Sequence, residues 1–167
     1  MKYFVVLTLL LAVSLTGCRG TPQTAPDMIG YVMRIDNAGR ILVIDPVAQN
    51  FSSTGGVNEF NNAIWFAKAP KSIVAGQKVK VWFDIVRESY PGQSEIEYIE
   101  VVPSPKPDGA KLDESQALQK ALLSQQPNVV ESIVKSIEYN KVTSLWVIKL
   151  KELWSDKTHT IEINDKL

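Results

Sequence analysis

Five short segments with the pattern of β-strands lie between Met28 and Val102. In the first, MIGYVMRID, apolar residues alternate, which places Ile29, Tyr31 and Met33 on one face. A hairpin signal, NAGR, leads into ILVID, a continuous apolar run typical of a strand covered on both faces. The remaining three are AIWFAKA, KVKVWFDIV and SEIEYIEVV. This succession restricts residues 28–103 to an all-β arrangement.

The spacing of these segments indicates a barrel. Five short strands within about 75 residues predict a closed or nearly closed sheet. The stretch IVAGQKVKVWF resembles the entry to the fourth strand of OB-type barrels. We therefore expect a small five-stranded OB-like barrel over residues 28–103, with Trp82, Lys80 and Asp84 together on its outer side.

A proline-rich segment separates this unit from the rest of the chain. PSPKPDG, from Pro103 to Gly109, holds three prolines in seven residues, which disfavours helix and central strand alike. It predicts a linker at residues 104–109 between two domains, the second at residues 110–167.

The second predicted domain begins with a helix and continues as three strands. LDESQALQKALLSQQ places Asp113 at the N-cap and Gln116 at capping-box spacing, with Pro127 ending the helix. Its buried stripe is Ala117, Leu118, Ala121 and Leu122. The strands are SIVKSIEYN, SLWVIKLKELW and HTIEIN. The predicted fold class is β-rich and α+β overall: the barrel, then a helix with a three-stranded antiparallel sheet.

The N-terminus has the features of a lipoprotein signal. Met1-Lys2 precedes the apolar run FVVLTLLLAVSL, which is short for a membrane span but suits a secretory signal. The next four residues, Leu15-Thr16-Gly17-Cys18, resemble a bacterial lipobox and contain the only cysteine of the chain. This predicts a signal peptide at residues 1–17 and a diacylglycerol thioether on Cys18. The alternative is a buried structural cysteine beside an ordinary cleavage site.

The segment after Cys18 has the composition of a flexible tether. RGTPQTAP holds no large apolar residue, so residues 18–27 cannot pack as a core. Two or more acyl chains anchor a protein stably in a bilayer, and a lipoprotein cysteine carries at least two. Whether palmitate or another acyl chain also modifies the new amine stays open. We expect the mature chain on the outer, extracytoplasmic face of a bacterial cell membrane.

Composition excludes several classes of partner and site. Eighteen Lys and Arg balance eighteen Asp and Glu, so no basic surplus favours nucleic acid. The single histidine, His159, excludes any site that needs two imidazoles. No metal-ligand spacing and no phosphate-binding motif is complete, so we expect neither a metal nor a cofactor.

The sequence offers few candidates for catalysis. A Ser-His-Asp triad would need His159 oriented by an acid beside an activated serine, and no serine lies in a G-x-S-x-G turn. Glu95 and Glu97 share a face of the fifth strand and, with Asp84, are the carboxylates to consider for a glycosidase-like hydrolase. A solvated outer face is the simpler interpretation. We expect no catalytic residues.

Aromatic residues are the better candidates for binding. Trp82 and Trp154 have charged neighbours, which suits either a ligand platform or a contact between domains. The long irregular segment PVAQNFSSTGGVNEFNN adds two phenylalanines, and segments of this length are often functional or mobile. The candidate binding surface is Trp82, Trp65, Phe51 and Phe60.

Two family resemblances rest on these stretches. The C-terminal LDESQALQKAL, IEYN, WVIKL and HTIEIN resemble PepSY-type domains, small extracytoplasmic α+β modules of which some are thought to bind or restrain peptidases. The whole mature chain, through GYV, ILVID, IWF and GQKVKVWFD, resembles the YobA-like lipoproteins of Gram-positive bacteria. That family has no established activity, so the resemblance implies location and fold only.

The expected function is a non-catalytic binding module for a peptide, protein or envelope component. The alternative is a regulator of an extracellular peptidase acting through the C-terminal domain, as the PepSY resemblance implies. A carboxylate-dependent hydrolase is the third possibility. The ligand and the oligomeric state stay open.

Overall fold

The computed structural model describes residues 20–124 and 131–167. Its first part contains six strands and a 3-10 turn, Ser52–Thr54, in the segment between the second and third strands. The strands are β1 (Met28–Ile35), β2 (Ile41–Ile44), β3 (Ala63–Ala67), β4 (Lys78–Trp82), β5 (Gly92–Glu95) and β6 (Tyr98–Val101). The first four of the predicted strand segments are therefore confirmed.

These six strands form one sheet in the order β5-β3-β2-β1-β4-β6. Neighbouring strands are antiparallel except β3 and β5, which are parallel. The sheet is not a closed barrel within the described part of the chain, and it has six strands. The expected five-stranded OB-like barrel is therefore wrong.

The difference arises in the fifth predicted strand, which breaks at Ile96 and Glu97. The Ile96 amide donates to the Ala67 carbonyl at the end of β3, at 3.1 Å. The next amide, of Glu97, donates to the Trp82 carbonyl at the end of β4, at 3.0 Å. One predicted strand thus becomes two, and they pair with opposite edges of the sheet. Because only two residues join β5 and β6, the two edges of the sheet lie close together at this point, and the sheet is rolled.

The rolled sheet has apolar side chains on both faces. The cluster on the inner face draws on each of the strands β1 to β4 and includes Val32, Val43, Phe66 and Val81. Tyr31, Met33, Leu42 and Ile44 point to the outer face, where they join a second cluster. Strand β2 is buried at every position, as the continuous apolar run ILVID predicts.

The C-terminal part consists of helix α1 (Glu114–Leu123) and strands β7 (Ser132–Asn140), β8 (Leu145–Glu152) and β9 (Thr158–Asn164). The strands form an antiparallel sheet in the order β7-β8-β9. The capping box of Asp113 and Gln116 is present, and the four predicted stripe residues are buried. The helix and the three-stranded sheet are thus confirmed.

The C-terminal part covers the outer face of the six-stranded sheet. Leu118 of α1 and Trp146 and Ile148 of β8 belong to the same cluster as Met33. The proline-rich segment also contacts the helix, because the Glu114 amide donates to the Pro105 carbonyl at 3.0 Å. The division into domains at residues 104–109 stays a prediction.

Candidate functional site

Four aromatic rings neighbour one another across the surface where the two parts of the chain meet. Phe51 and Phe60 have ring centroids 5.8 Å apart, Phe60 and Tyr90 5.4 Å, and Tyr90 and Trp154 5.2 Å. We call these four side chains the aromatic row. Phe51, Tyr90 and Trp154 are exposed, with 61% of Trp154 open to solvent, and Phe60 is half-buried. Three separate segments contribute to the row.

The first segment is the long connection between β2 and β3. It is closed by a pair of backbone hydrogen bonds between Gln49 and Phe60, of 2.8 and 2.9 Å. The Phe51 amide donates to the Val57 carbonyl, and Gly55, with φ near +82°, ends the 3-10 turn between them. These bonds fix the spacing of the two phenylalanines within the segment.

Tyr90 lies between Phe60 and Trp154 and is tied to the same segment. Its hydroxyl donates to the Asn61 carbonyl at 2.9 Å. Burial raises the pKa of the Tyr90 hydroxyl, so at neutral pH it remains a donor. Asn61 is itself buried, and its side-chain amide donates to the Asp45 carbonyl at the start of the connection. Tyr90 therefore docks the loop before β5 against the β2–β3 connection.

Trp154 projects from the turn between β8 and β9, which is organised around the carboxylate of Glu152. The Ser155 hydroxyl donates to Oε2 of Glu152 at 2.7 Å, and Nε2 of His159 lies 2.8 Å from Oε1. The Ser155 bond and then the His159 bond lower the pKa of Glu152 to about 2, so the carboxylate is ionised at neutral pH. The indole Nε1 of Trp154 donates to Glu131 at 3.2 Å. These contacts hold Trp154 over Tyr90.

His159 and Ser155 bind the same carboxylate, which bears on the question of a triad. In a Ser-His-acid triad the histidine bonds the serine on one side and the acid on the other. Here the serine hydroxyl donates to Glu152 instead of facing the imidazole. The arrangement stabilises a turn and does not have the geometry of a triad.

A groove of about 330 Å³ runs beside the aromatic row. The ammonium group of Lys151 pairs with two carboxylates of the groove, with Nζ 3.2 Å from Oε2 of Glu59 and 2.9 Å from Oδ1 of Asp156. Hydrogen bonds to Asp156 and then to Glu59 raise the pKa of Lys151, so it stays charged. The groove is lined by Glu59, Phe60, Asn61, Tyr90, Ile133, Lys151, Glu152, Leu153, Trp154, Ser155 and Asp156.

The structure brings together only two of the four residues that the sequence predicts for binding. Phe51 and Phe60 are in the aromatic row. Trp82 is 7% exposed, packs edge-on against Tyr98 at 5.3 Å, and donates from Nε1 to the Thr24 carbonyl at 3.0 Å. Residues just before β1 therefore cover Trp82, and its ring is not open to a ligand.

Trp65 lies elsewhere, on β3, where two guanidinium groups flank its ring. The Cζ atoms of Arg34 and Arg40 lie 5.9 and 5.4 Å from the ring centroid. The sequence pattern does not single out Tyr90, and for Trp154 it is consistent with either a ligand contact or a contact between domains. The signal for Tyr90 is weak, because a tyrosine before a Pro-Gly turn gives no sign of its distant neighbours.

The three carboxylates considered for hydrolysis do share a cavity, a cleft of about 940 Å³ beside Trp65. Asp84, Glu95 and Glu97 all line it. Glu95 forms an ion pair with Lys68, and this contact lowers the pKa of the Glu95 carboxyl. A general acid in a glycosidase needs a raised pKa, so Glu95 is unsuited to that role.

The predicted lipid-attachment residue, Cys18, lies outside the described residues, as do the predicted signal peptide and Pro127. Across residues 20–124 and 131–167, no helix is long and apolar enough to cross a membrane. Within the same ranges no three His, Cys, Asp or Glu side chains are grouped as a metal site would require.

Comparisons with known proteins support one of the family resemblances. Residues 29–103 match the family described as Protein of unknown function (DUF3221). The chain is 27% identical over 112 residues to the "Uncharacterized protein YobA" of Bacillus subtilis (strain 168), covering 58% of this chain and 93% of that protein. These two matches support homology to YobA-like proteins.

A solved structure is also similar to part of the chain. It is the crystal structure of a YobA protein from Bacillus subtilis, with a TM-score of 0.33 and 23% sequence identity. The likeness covers 50% of this chain and all of that one. The relatives are uncharacterised, so they bring no activity to this chain.

Proposed function

We propose that this protein is a membrane-anchored extracytoplasmic lipoprotein, a non-catalytic module that binds a peptide, protein or envelope component along the aromatic row. The proposal rests mainly on the row itself, in which Phe51, Tyr90 and Trp154 are exposed. Tyr90 and Trp154 also line the groove, together with Phe60. Exposed aromatic side chains that neighbour each other are typical of interaction sites. Tyrosine and tryptophan in particular dominate the binding energy at protein interfaces.

The way the row is held also supports binding. The Gln49–Phe60 bridge, the Tyr90 hydroxyl and the Glu152 carboxylate each fix one of the three contributing segments. Side chains that are already positioned lose less conformational entropy when a ligand binds. A groove built in this way suits recognition, whereas the ionised Glu152 carboxylate beside it lacks the raised pKa that acid catalysis requires.

The membrane anchor is supported by the sequence around Cys18. The apolar run before it, the small residues Thr16 and Gly17, and the polar segment after it together match a lipoprotein signal and tether. Acylation at Cys18 would keep the binding groove on the outer face of the bacterial cell membrane, within reach of envelope ligands.

The anchor predicts how a Cys18→Ser variant behaves. The variant loses the thiol that takes the lipid, so we expect it in the soluble fraction or as an unprocessed precursor. Fractionation of cells followed by mass spectrometry of the N-terminus distinguishes these forms from the wild type. A Cys18→Ser protein that is processed and remains in the membrane fraction would contradict the anchor.

Binding is tested by cross-linking and capture from envelope extracts with the membrane-bound full chain. We expect Trp154→Ala to reduce capture of the bound component at least tenfold, because the most exposed ring of the row is lost. Val142→Ala is the matched control, since Val142 is a highly exposed apolar residue on the β7–β8 turn. Trp154→Phe retains a ring and should recover most of the capture.

Equal capture by Trp154→Ala and the wild type would refute the aromatic row as the binding surface. Capture of an extracellular peptidase, with altered surface proteolysis in a deletion strain, would favour the narrower role that the PepSY resemblance implies. Turnover of a captured component by the purified protein would refute a non-catalytic role.

A further inference from the structure

We propose that the groove beside the aromatic row binds an extended, positively charged peptide segment of a partner protein, with Lys or Arg side chains seated between the rings and the groove carboxylates. This inference rests on the proposed function and specifies its ligand.

The first observation that supports a cationic ligand is the charge of the groove. Three carboxylates, Glu59, Glu152 and Asp156, line it with one ammonium group, that of Lys151. Lys157 lies outside the lining, but its Nζ is 3.7 Å from Oε1 of Glu152, so it counts as a second positive charge. Three negative and two positive charges leave a net charge of −1, although the whole chain is neutral by formal charge. The surplus is therefore a local property of this surface.

The negatively charged side chains are more exposed than the lysine that pairs with them, so a ligand can reach them. The side chains of Asp156 and Glu59 are 98% and 58% exposed, whereas that of Lys151 is 21% exposed. Lys151 contacts one oxygen of each carboxylate. An ionised carboxylate has about four lone-pair sites, so both retain capacity to accept hydrogen bonds from an incoming ammonium or guanidinium group.

The rings add a second attraction for the same kind of group. A cation over the face of a tryptophan or tyrosine is stabilised by the ring quadrupole. The chain already contains this contact, because Arg34 and Arg40 flank Trp65 within 6 Å of its centroid. The Trp154 ring is exposed, and both it and Asp156 line the groove, so a guanidinium or ammonium group bound there has a ring and a carboxylate in the same groove.

The number of neighbouring rings favours a peptide over a small cation. Successive ring centroids are 5.2 to 5.8 Å apart. Side chains on one face of an extended peptide recur about every 7 Å, at residues i and i+2. Side chains i and i+2 of one extended peptide can therefore contact two neighbouring rings, whereas a single small cation would use one ring only.

The test measures binding of three blocked decapeptides to the purified full chain by isothermal titration calorimetry, from about 0.1 M salt upward. The peptides share alternating leucines, and their other positions are Arg and Lys, Gln, or Glu. We expect the cationic peptide to bind at least tenfold tighter than the anionic one, with affinity that falls as salt rises. The neutral peptide should lie between them.

Variants identify the groups responsible. Glu59→Gln with Asp156→Asn removes two exposed charges from the groove, and we expect it to weaken the cationic peptide at least fivefold. The matched control is Glu138→Gln with Glu162→Gln, which removes the same charge from exposed positions on β7 and β9. Both glutamates lie opposite Val147, five residues along β8 from Glu152. That separation of roughly 16 Å exceeds the Debye length of about 10 Å at 0.1 M salt, so the control should retain most of the affinity.

Each failure has its own meaning. Equal binding of cationic and anionic peptides, no binding of any of the three, or equal effects of both double variants would overturn the inference. If the neutral peptide binds best and Trp154→Ala abolishes its binding, the charge argument fails while the proposed binding module stands. If Trp154→Ala changes neither peptide binding nor envelope capture, both proposals fail.

Discussion

A single carboxylate, Asp165, holds the start of helix α1 against the three-stranded sheet. It accepts hydrogen bonds from the amides of Lys111 and Leu112, at 2.7 and 2.9 Å, and from Nε1 of Trp146 at 3.1 Å. Burial alone would raise the pKa of Asp165, but the donors from Leu112 and Lys111 outweigh it, so the pKa is lowered. The charged form is thus the one that the fold stabilises.

Removing this carboxylate should destabilise the protein. Asp165→Ala leaves buried donors on Leu112 and Trp146 without an acceptor, so we expect the Tm at pH 7 to fall by roughly 5–10 °C. A group with a lowered folded pKa stabilises above its unfolded pKa and loses that effect as pH falls through the folded value. The difference between wild type and variant should therefore shrink below about pH 4.

The measurement is thermal unfolding followed by circular dichroism from pH 7 to about pH 2.5. Asp108→Ala serves as control, because Asp108 is exposed and pairs with the exposed Lys141. We expect its Tm to change by about 2 °C or less at every pH. If Asp165→Ala were as stable as Asp108→Ala at pH 7, the hydrogen bonds to Asp165 would contribute little.

At the scale of elements, a glycine turn brings the six-stranded sheet into contact with helix α1. Gly76 lies between β3 and β4 with φ near +93°, and its amide donates to the Val32 carbonyl at 2.8 Å. A Cβ added there would lie 2.5 Å from the Ser115 carbonyl oxygen and 2.8 Å from the Gln119 amide nitrogen. No side chain fits between this turn and the helix backbone.

We expect Gly76→Ala to weaken the packing of α1 on the sheet. The positive φ and the close approach to the helix each add a cost, of about 1 kcal/mol for φ and about 1–3 kcal/mol for overpacking. Gly55→Ala is the control, because Gly55 has a similar φ of +82° and open space around its Cβ position. Denaturant unfolding of both variants separates the two costs, and equal losses would mean that the helix moves aside.

Much of the arrangement of elements could be predicted from the sequence. The helix has its capping box and apolar stripe within a few residues, and the segment SIVKSIEYN coincides with β7. The prediction of the fifth strand failed because alternation reports which side chains share a face and says nothing about the pairing partner. SEIEYIEVV keeps its alternation while its backbone changes from β3 to β4 at Ile96 and Glu97.

The candidate site was less predictable for a related reason. Phe51 and Phe60 could be found because one irregular segment contains both. Tyr90 and Trp154 join them only through the folded arrangement of three segments, and Trp82 was predicted to bind although Thr24 and Tyr98 cover it. Local sequence indicates an aromatic residue with polar neighbours, and tertiary packing decides whether its ring meets solvent.

At the scale of the whole molecule, one apolar cluster joins both predicted domains. Tyr31, Leu42 and Ile44 from the six-stranded sheet share it with Leu118 of α1 and Trp146 of β8. The aromatic row lies at the surface of the same junction, since Trp154 comes from the C-terminal part and its neighbour Tyr90 from the first. The groove beside the aromatic row therefore exists only while the two parts are packed together.

The two-residue link between β5 and β6 also affects the order of folding. Strands β7, β8 and β9 pair through successive hairpins, so their loops are short and close rapidly. In the six-stranded sheet, β1 pairs with β4, which is distant in sequence: Met28 lies opposite Val81. Both edge strands, β5 and β6, also form only when the stretch around Ile96 and Glu97 is in place. High contact order is thus concentrated in the first half of the chain. A C-terminal sheet that folds first would expose its apolar residues of the shared cluster until the six-stranded sheet forms and covers them. Aggregation is therefore expected mainly during that interval.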